Sequence, residues 1–293
     1  MLLSICHKTI YRYARAVRLR PHRIMMCPRG KYDLKLVKTL LSTSPPASIE
    51  WTQDVFGNLI ATADFLGPTD TLVVDSRMVV EQSATAWPVF AIAPSAHQYP
   101  FVYSEEELVD LGALLLPTDK GATGAQVSEW AQNFLKGDQA DTLTLIKSIN
   151  EAIHREIRYR WRDEEGTQSG SETLAALSGS CRDLATLFVE AMRHLGIAAR
   201  LVSGYLFDEA AADQHGATHA WAEVYLPCAG WIPFDPTNAR MGGANLVPVA
   251  VGRLIAQVVP ISGSYEGAPE DLVDMRVEVS VNATAPPAYR EAH

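Results

Sequence analysis

The sequence predicts an α+β protein in two parts: a small antiparallel β domain over residues 1–94 and a second domain over 95–293, with its core at about 141–250. Three observations lead there. From Ser4 to about Gln82, short runs of β-branched and aromatic residues alternate with turn signals. Prolines at 88, 94 and 100 then mark a connecting segment. Beyond them, apolar residues first recur at helical spacing and later alternate as they do in strands.

In chain order, strands are expected at Ile10 to Leu19, Leu34 to Leu41, Ala47 to Gln53 and Thr71 to Glu81. They are punctuated by Pro28-Arg29-Gly30, Pro45-Pro46, Gly57-Asn58 and Gly67-Pro68. Ser104 and Glu107 form a capping box before Leu108, Leu111 and Leu115. A second helix uses Val127, Trp130, Ala131 and Phe134 and stops at Gly137. A third begins at Asp141 and lines up Leu143, Ile146, Ile149, Ile153 and Ile157. A fourth runs from Cys181 to Leu195, with Gly196 where a left-handed helix end favours glycine. Strands follow at Ile197 to Phe207 and His219 to Leu226, separated by a polar loop from Asp208 to Thr218, and a return strand begins at Trp231. The tail after about Pro248 offers one more strand, Met275 to Val281, and an Ala- and Pro-rich end expected to fray.

Composition narrows the function. With 47% hydrophobic and 20% charged residues, the chain falls among well-packed globular proteins. A net charge of −9 argues against a nucleic-acid groove. The basic residues Lys8, Arg12, Arg15, Arg18, Arg20 and Arg23 interleave with apolar ones, as solvated strand faces do. Cys6, Cys27, Cys181 and Cys228 form no C-x-x-C pair, so neither a zinc site nor a disulfide framework is expected, and a reducing compartment fits. The opening residues are too short for a signal peptide, and no apolar run reaches the ~20 residues of a membrane span, so a cytoplasmic location is expected.

Chemistry gathers at Cys181. It opens its helix, where unpaired N–H groups and the positive end of the dipole favour a thiolate. Ser180 and Asp183 can cap that helix reciprocally. His219 and Asp235 answer the cysteine if Pro227-Cys228-Ala229 is a three-residue loop joining Leu226 to Gly230. Trp221 then sits opposite Asp235, and His219 and Asp235 become diagonal neighbours roughly 7 Å apart on one face. A four-residue loop would turn Asp235 to the other face. With the pair formed, the carboxylate fixes the imidazole tautomer and the other ring nitrogen can take the proton of Cys181. The Cys181 N–H is one oxyanion donor; Trp161, Gln168 and Trp221 are candidates for a second.

Competing readings attach to several of these residues. His215, His219 and Glu223 have helical metal-ligand spacing, but Gly216 intervenes and the following residues alternate as a strand, so no metal is expected. Glu223 shares the face of His219 and could orient it instead of Asp235. Asp183 reads as a helix cap rather than an acid–base residue. His154 and His194 read as packed or solvated helix residues.

These residues resemble a known family. Gly-Ser-Cys-Arg-Asp-Leu-Ala at 179–185, Ala-Arg-Leu-Val-Ser-Gly-Tyr at 199–205, Thr-His-Ala-Trp-Ala-Glu-Val-Tyr-Leu-Pro at 218–227 and Gly-Trp-Ile-Pro-Phe-Asp-Pro-Thr-Asn at 230–238 look like the bacterial transglutaminase-like cysteine peptidases. Tyr11-Arg12-Tyr13, Arg23-Ile24-Met25 and Asp54-Val55-Phe56-Gly57-Asn58 are similar to the β domain that precedes such cores in bacteria. The resemblance implies a papain-like, transglutaminase-like α+β core with Cys181 as nucleophile, His219 as base and Asp235 as its orienting partner. Gly252-Arg253-Leu254 departs from the Gly-Arg-Asp of bacterial relatives, and nothing looks like the calcium-binding features of animal cross-linking transglutaminases.

The expected activity is thiol-dependent hydrolysis of an amide or peptide bond through a Cys-acyl intermediate, with no cofactor, no nucleic acid and no membrane as partner. The alternatives are acyl transfer to an amine by the same site, and a catalytically idle binding module.

Overall fold

The computed structural model describes residues 1–86, 88–135, 137, 139–162, 166–207 and 217–284. Strand β1 (Leu2–Leu19) buries every second residue from Leu3 to Thr9, as a period of two requires when one face is covered. It is followed by β2 (His22–Ile24), β3 (Leu34–Ser44), β4 (Ala47–Gln53), β5 (Leu59–Phe65) and β6 (Pro68–Gln82). The expected strands are all present, longer at several ends, and β2 and β5 are additional.

The middle of the chain is helical. The two-residue strand β7 (Gln98–Tyr99) precedes α1 (Glu105–Leu111), whose Ser104–Glu107 capping box forms as expected, and α2 (Gly121–Gln132). Next, β8 (Ala140–Asp141) leads into α3 (Thr142–Glu156), where Asp141 accepts from the Thr144 N–H. Then come β9 (Arg158–Tyr159), α4 (Gly170–Ala176), β10 (Ser178–Gly179) and α5 (Cys181–His194). Gly196 adopts a φ of 72°, the left-handed end that the sequence suggested.

A second antiparallel sheet follows: β11 (Ala199–Leu206), β12 (Ala217–Leu226), β13 (Gly230–Asp235), β14 (Arg240–Met241) and β15 (Leu246–Gly252). Its order is β14-β13-β12-β11-β15. Helix α5 packs Leu184, Leu187, Phe188 and Ala191 against Ala199, Leu201, Ala222, Val224 and Phe234 of this sheet. Phe188 and Phe234 stack at 5.6 Å. That layer forms the larger core.

The chain closes with β16 (Ile261–Ser262), β17 (Tyr265–Glu266) and β18 (Leu272–Thr284). These strands return to the first half. β17 and β18 pair with β1, giving a sheet with β6 and β3, while β16 joins β2, β5 and β4. The two sheets enclose a core of Tyr13, Val17, Leu19, Ala61, Ala63, Leu72 and Val74. A boundary at residue 94 alone assigns residues 261–284 to the second half, whereas their hydrogen bonds place them in the N-terminal sheets. Periodicity identifies a strand but not its partner.

A further core of Leu3, Ile5, Met25 and Met78 with Tyr205, Val247 and Val249 joins the halves. At that seam the buried His7 shares a 3.0 Å hydrogen bond through Nδ1 with the Tyr205 hydroxyl, and burial pushes the imidazole down to about 4. Several N-terminal arginines are ion-paired: Arg15 with Asp271, Arg20 with Glu266 and Arg23 with Asp54. Among the described residues no helix is long and apolar enough to cross a membrane.

Candidate active site

Cys181 is the first residue of α5 and is partly exposed. The turn beneath it is built on Asp183, which is fully buried. Asp183 Oδ2 accepts from both the N–H and the hydroxyl of Ser180 at 2.8 Å, and Oδ1 accepts from the Gln168 N–H at 2.8 Å. The Arg162 guanidinium donates to both oxygens at 2.9 Å. The carboxylate thus reaches back to Ser180 as a capping residue should, while the serine hydroxyl turns into that same carboxylate. Burial alone raises the Asp183 carboxyl; the Ser180 N–H and the guanidinium outweigh it and hold it below the usual carboxylate range. The reading of Asp183 as a cap agrees with this geometry. Arg162 was not visible as its partner in the sequence.

The same network fixes the wall beside the sulfur. β9 and β10 pair in parallel, Tyr159 opposite Gly179. A Cβ on Gly179 would lie 2.8 Å from the Asp183 Cβ, so only glycine fits there. Tyr159 is pushed up first by partial burial and then by the charge of Cys181, which places the phenol in the field of the sulfur.

His219 and Asp235 come together across the β12–β13 hairpin. Leu226 pairs with Gly230 and Ala222 with Phe234, the register that an odd, three-residue loop sets. His219 Nε2 lies 2.8 Å from Asp235 Oδ2, leaving Nδ1 as the second ring nitrogen. Both side chains are buried. Asn238 Nδ2 also donates to Oδ2 at 2.7 Å, and the Thr237 N–H donates to Oδ1 at 3.0 Å. Burial by itself disfavours the charged forms of both groups. For His219 it is outweighed by the hydrogen bonds and charges of Asp235 and Cys181, so the imidazole is held above its ordinary value. For Asp235 it is outweighed by His219, then by Asn238 and the Thr237 N–H, so the carboxyl is held below its own. Asn238, three residues past Asp235, is a partner that the sequence reading passed over.

Behind this pair stands the N-terminal half. The Trp221 ring stacks on His219 at 6.1 Å and 22°. It packs with Val202, Leu246, Val251 and Phe56, the last from the turn between β4 and β5. That turn is closed by Asp54, which accepts from the Phe56 and Asn58 N–H groups, both at 2.9 Å. Asn58 in turn exchanges two hydrogen bonds with the Val251 backbone, at 2.7 and 2.9 Å, so its side-chain amide pairs with β15.

Glu223 does not orient His219. Its carboxylate is fully buried and takes Lys31 Nζ at 2.7 Å and Arg200 Nε at 2.8 Å. The open alternative for the partner of the imidazole is therefore filled by Asp235. Neither Lys31 nor Arg200 lies near Glu223 in the sequence.

The remaining candidates are placed as follows. Trp161 is 65% exposed. Gln168 Oε1 accepts from the Thr173 hydroxyl at 3.3 Å, and Trp221 Nε1 is buried with no protein partner. His154 bonds the Thr237 carbonyl through Nδ1 at 2.8 Å, and His194 is half-buried at the end of α5. His215, most of the polar loop and the Ala- and Pro-rich end lie outside the described residues. Leu254, where the resemblance implies an aspartate, precedes a short 3₁₀ turn (Ile255–Gln257), and its N–H and that of Arg253 both donate to Gln257 Oε1 at 2.9 Å. A cavity of about 490 Å³ opens beside Asp235 between Lys147, Asn150 and Glu151 of α3 and the segment from Ala239 to Leu246.

The models of two families match the chain. That of the transglutaminase-like superfamily core matches residues 128–236, and that of the bacterial transglutaminase-like N-terminal region matches residues 3–81. An uncharacterized protein of Mycobacterium tuberculosis is 26% identical over 294 residues, covering 94% of this chain and 91% of its own. Another from Mycobacterium leprae is 26% identical over 286 residues, covering 95% and 98%. The crystal structure of a candidate cysteine protease from Cytophaga hutchinsonii superposes with a TM-score of 0.73 at 18% identity, covering 98% of this chain and 92% of that one, a likeness of fold. By these matches the chain carries a transglutaminase-like superfamily core at residues 128–236, the stretch that holds α5 and the β12–β13 hairpin, preceded at residues 3–81 by the bacterial transglutaminase-like N-terminal region.

Proposed function

We propose that the protein is a thiol-dependent hydrolase that cleaves an amide or peptide bond, with Cys181 as nucleophile, His219 as general base and acid, and Asp235 as the group that orients the imidazole. One observation carries this reading: a buried imidazole, held by the Asp235 carboxylate through Nε2 at 2.8 Å, is raised above its ordinary value first by Asp235 and then by Cys181, the residue that opens helix α5. The cysteine proton passes to His219, and the sulfur attacks the substrate carbonyl carbon. The C=O becomes an oxyanion facing the Cys181 N–H. Collapse breaks the C–N bond, and His219 returns the proton to the leaving nitrogen. The thioester is then attacked by water, whose proton goes to His219 and finally to the released sulfur.

Replacing water by an amine in the last step makes the same site a transglutaminase. The family match supports that second reading equally at the level of the acyl-enzyme. The test is mass spectrometry of Cys181 after exposure to a peptide and amide library, with and without added amines. Hydrolysis predicts an acyl adduct on Cys181 that decays to free acid at a rate indifferent to amine. Amide products that grow with amine concentration favour transfer, and no adduct with any substrate defeats both.

A further inference from the structure

The N-terminal sheet ends in two unlike edges. On one side β3 carries Lys35 and Lys38 and loses register with β6 between Leu36 and Lys38. A lysine-bearing, bulged edge strand resists pairing with another chain. On the other side lies β18, thirteen residues without Lys, Gly or Pro, in unbroken register with β1 from Asp274 to Thr284. Among the described residues nothing pairs with its outer edge. Residues 272–278 are all exposed. Val279 and Val281 pack on the core between the two halves, but Met275 and Val277 on the same face overhang it, 54% and 45% exposed. The opposite face carries Asp274, Arg276 and Glu278, alternating in sign.

We infer that β18 is a pairing edge for a second copy of this chain, the two strands running antiparallel about a two-fold axis at Val277. The charge pattern selects the register. An axis at Arg276 would set Arg276 against Arg276 and Asp274 against Glu278, like charges throughout. An axis at Met275 would run into the irregularity that leaves Val273 unpaired between Asp274 and Leu272. The axis at Val277 sets Arg276 opposite Glu278 twice, Met275 opposite Val279 twice and Asp274 opposite Ser280 twice. Cross-strand pairs of opposite charge and of apolar residues are the units that stabilise an antiparallel sheet. One patch serves both copies, as a two-fold interface requires. The four strands β3, β6, β1 and β18 of each copy then form one eight-stranded sheet, closing the exposed edge and covering Met275 and Val277. This inference does not depend on the chemistry of Cys181.

The test is sedimentation velocity on the full chain across a concentration series, with Arg276→Glu, Glu278→Arg and the double variant. Arg276 and Glu278 also pair within one chain at 3.0 Å, but their side chains are 68% and 43% exposed and such a surface pair contributes little, so melting temperatures stay close to the wild-type value and report an intact fold. The wild type dimerises. Each single reversal puts two like-charged pairs across the axis and raises the dissociation constant roughly tenfold; the double reversal restores it. A chain that stays monomeric at every concentration overturns the inference. So does a dimer indifferent to the single reversals, which would place its interface elsewhere.

Discussion

His219 Nε2 and Asp235 Oδ2 stand 2.8 Å apart across sixteen residues of sequence, and one turn sets that distance. The three residues between Leu226 and Gly230 decide the parity of the hairpin, and parity decides whether the two side chains share a face.

On the proposed mechanism, Cys181→Ala and His219→Ala abolish turnover while secondary structure is retained; the cysteine variant melts near wild type, and the histidine variant melts lower because it leaves the buried Asp235 carboxylate without its partner. Cys181 is partly exposed and leaves no sizeable cavity when truncated. Steady-state assays with circular dichroism check both halves of the expectation. Full activity in either variant removes that residue from the mechanism.

Asp235→Asn keeps the side-chain shape but withdraws the charge that holds the imidazole above its ordinary value. Activity should fall by roughly 10²–10⁴-fold with a smaller change in KM, since the loss lies in orienting and charging the base. Asn238→Ala removes one donor to the same oxygen and should cost about tenfold or less.

This hairpin was legible in the sequence because its signals are local: an alternating strand, a short loop, a return strand. The start of α5 was legible for the same reason, Ser180, Asp183 and Gly196 all lying within a turn of its ends. The partners of Glu223 were not. Lys31 and Arg200 reach it from a loop and a neighbouring strand, and only the assembled fold brings the three charges together. The same limit hid the return of β18 to β1 and the pairing of Asn58 with Val251. Helix α4 went unread although Ser169 and Glu172 cap it, its seven residues being too few to show a helical period.

Glu223→Gln should destabilise the protein more than any effect on chemistry suggests. The carboxylate is fully buried; burial alone raises it, and Arg200 and Lys31 outweigh burial to hold it low. Removing its charge leaves two cations without their partner at the seam between the halves, a loss of about 3 kcal/mol. Urea unfolding at neutral pH measures it. A loss below about 1 kcal/mol would mean that the ion pair is easily replaced by solvent.

The seam also predicts an acid sensitivity. Burial lowers His7 to about 4 in the folded protein from 6.5. The unfolded chain therefore takes up the proton first. Stability from this residue is fully present above 6.5 and is lost as pH falls toward 4, by roughly 3 kcal/mol over the window. His219 is raised, so its contribution persists through that window and is lost only as pH rises through its folded value. His7→Gln, which can still bond Tyr205, should flatten the stability profile between pH 6.5 and 4. An unchanged slope assigns the acid sensitivity to other groups.

The most direct test of the central claim is the reaction of Cys181 with iodoacetamide at pH 6, followed by intact-mass and peptide analysis in the wild type and in His219→Ala. Proton transfer from the sulfur to a ring charged by Asp235 predicts rapid, selective alkylation of Cys181 over Cys6, Cys27 and Cys228, slowed at least tenfold in the variant. Equal rates in the two proteins, or no preference for Cys181, would contradict it.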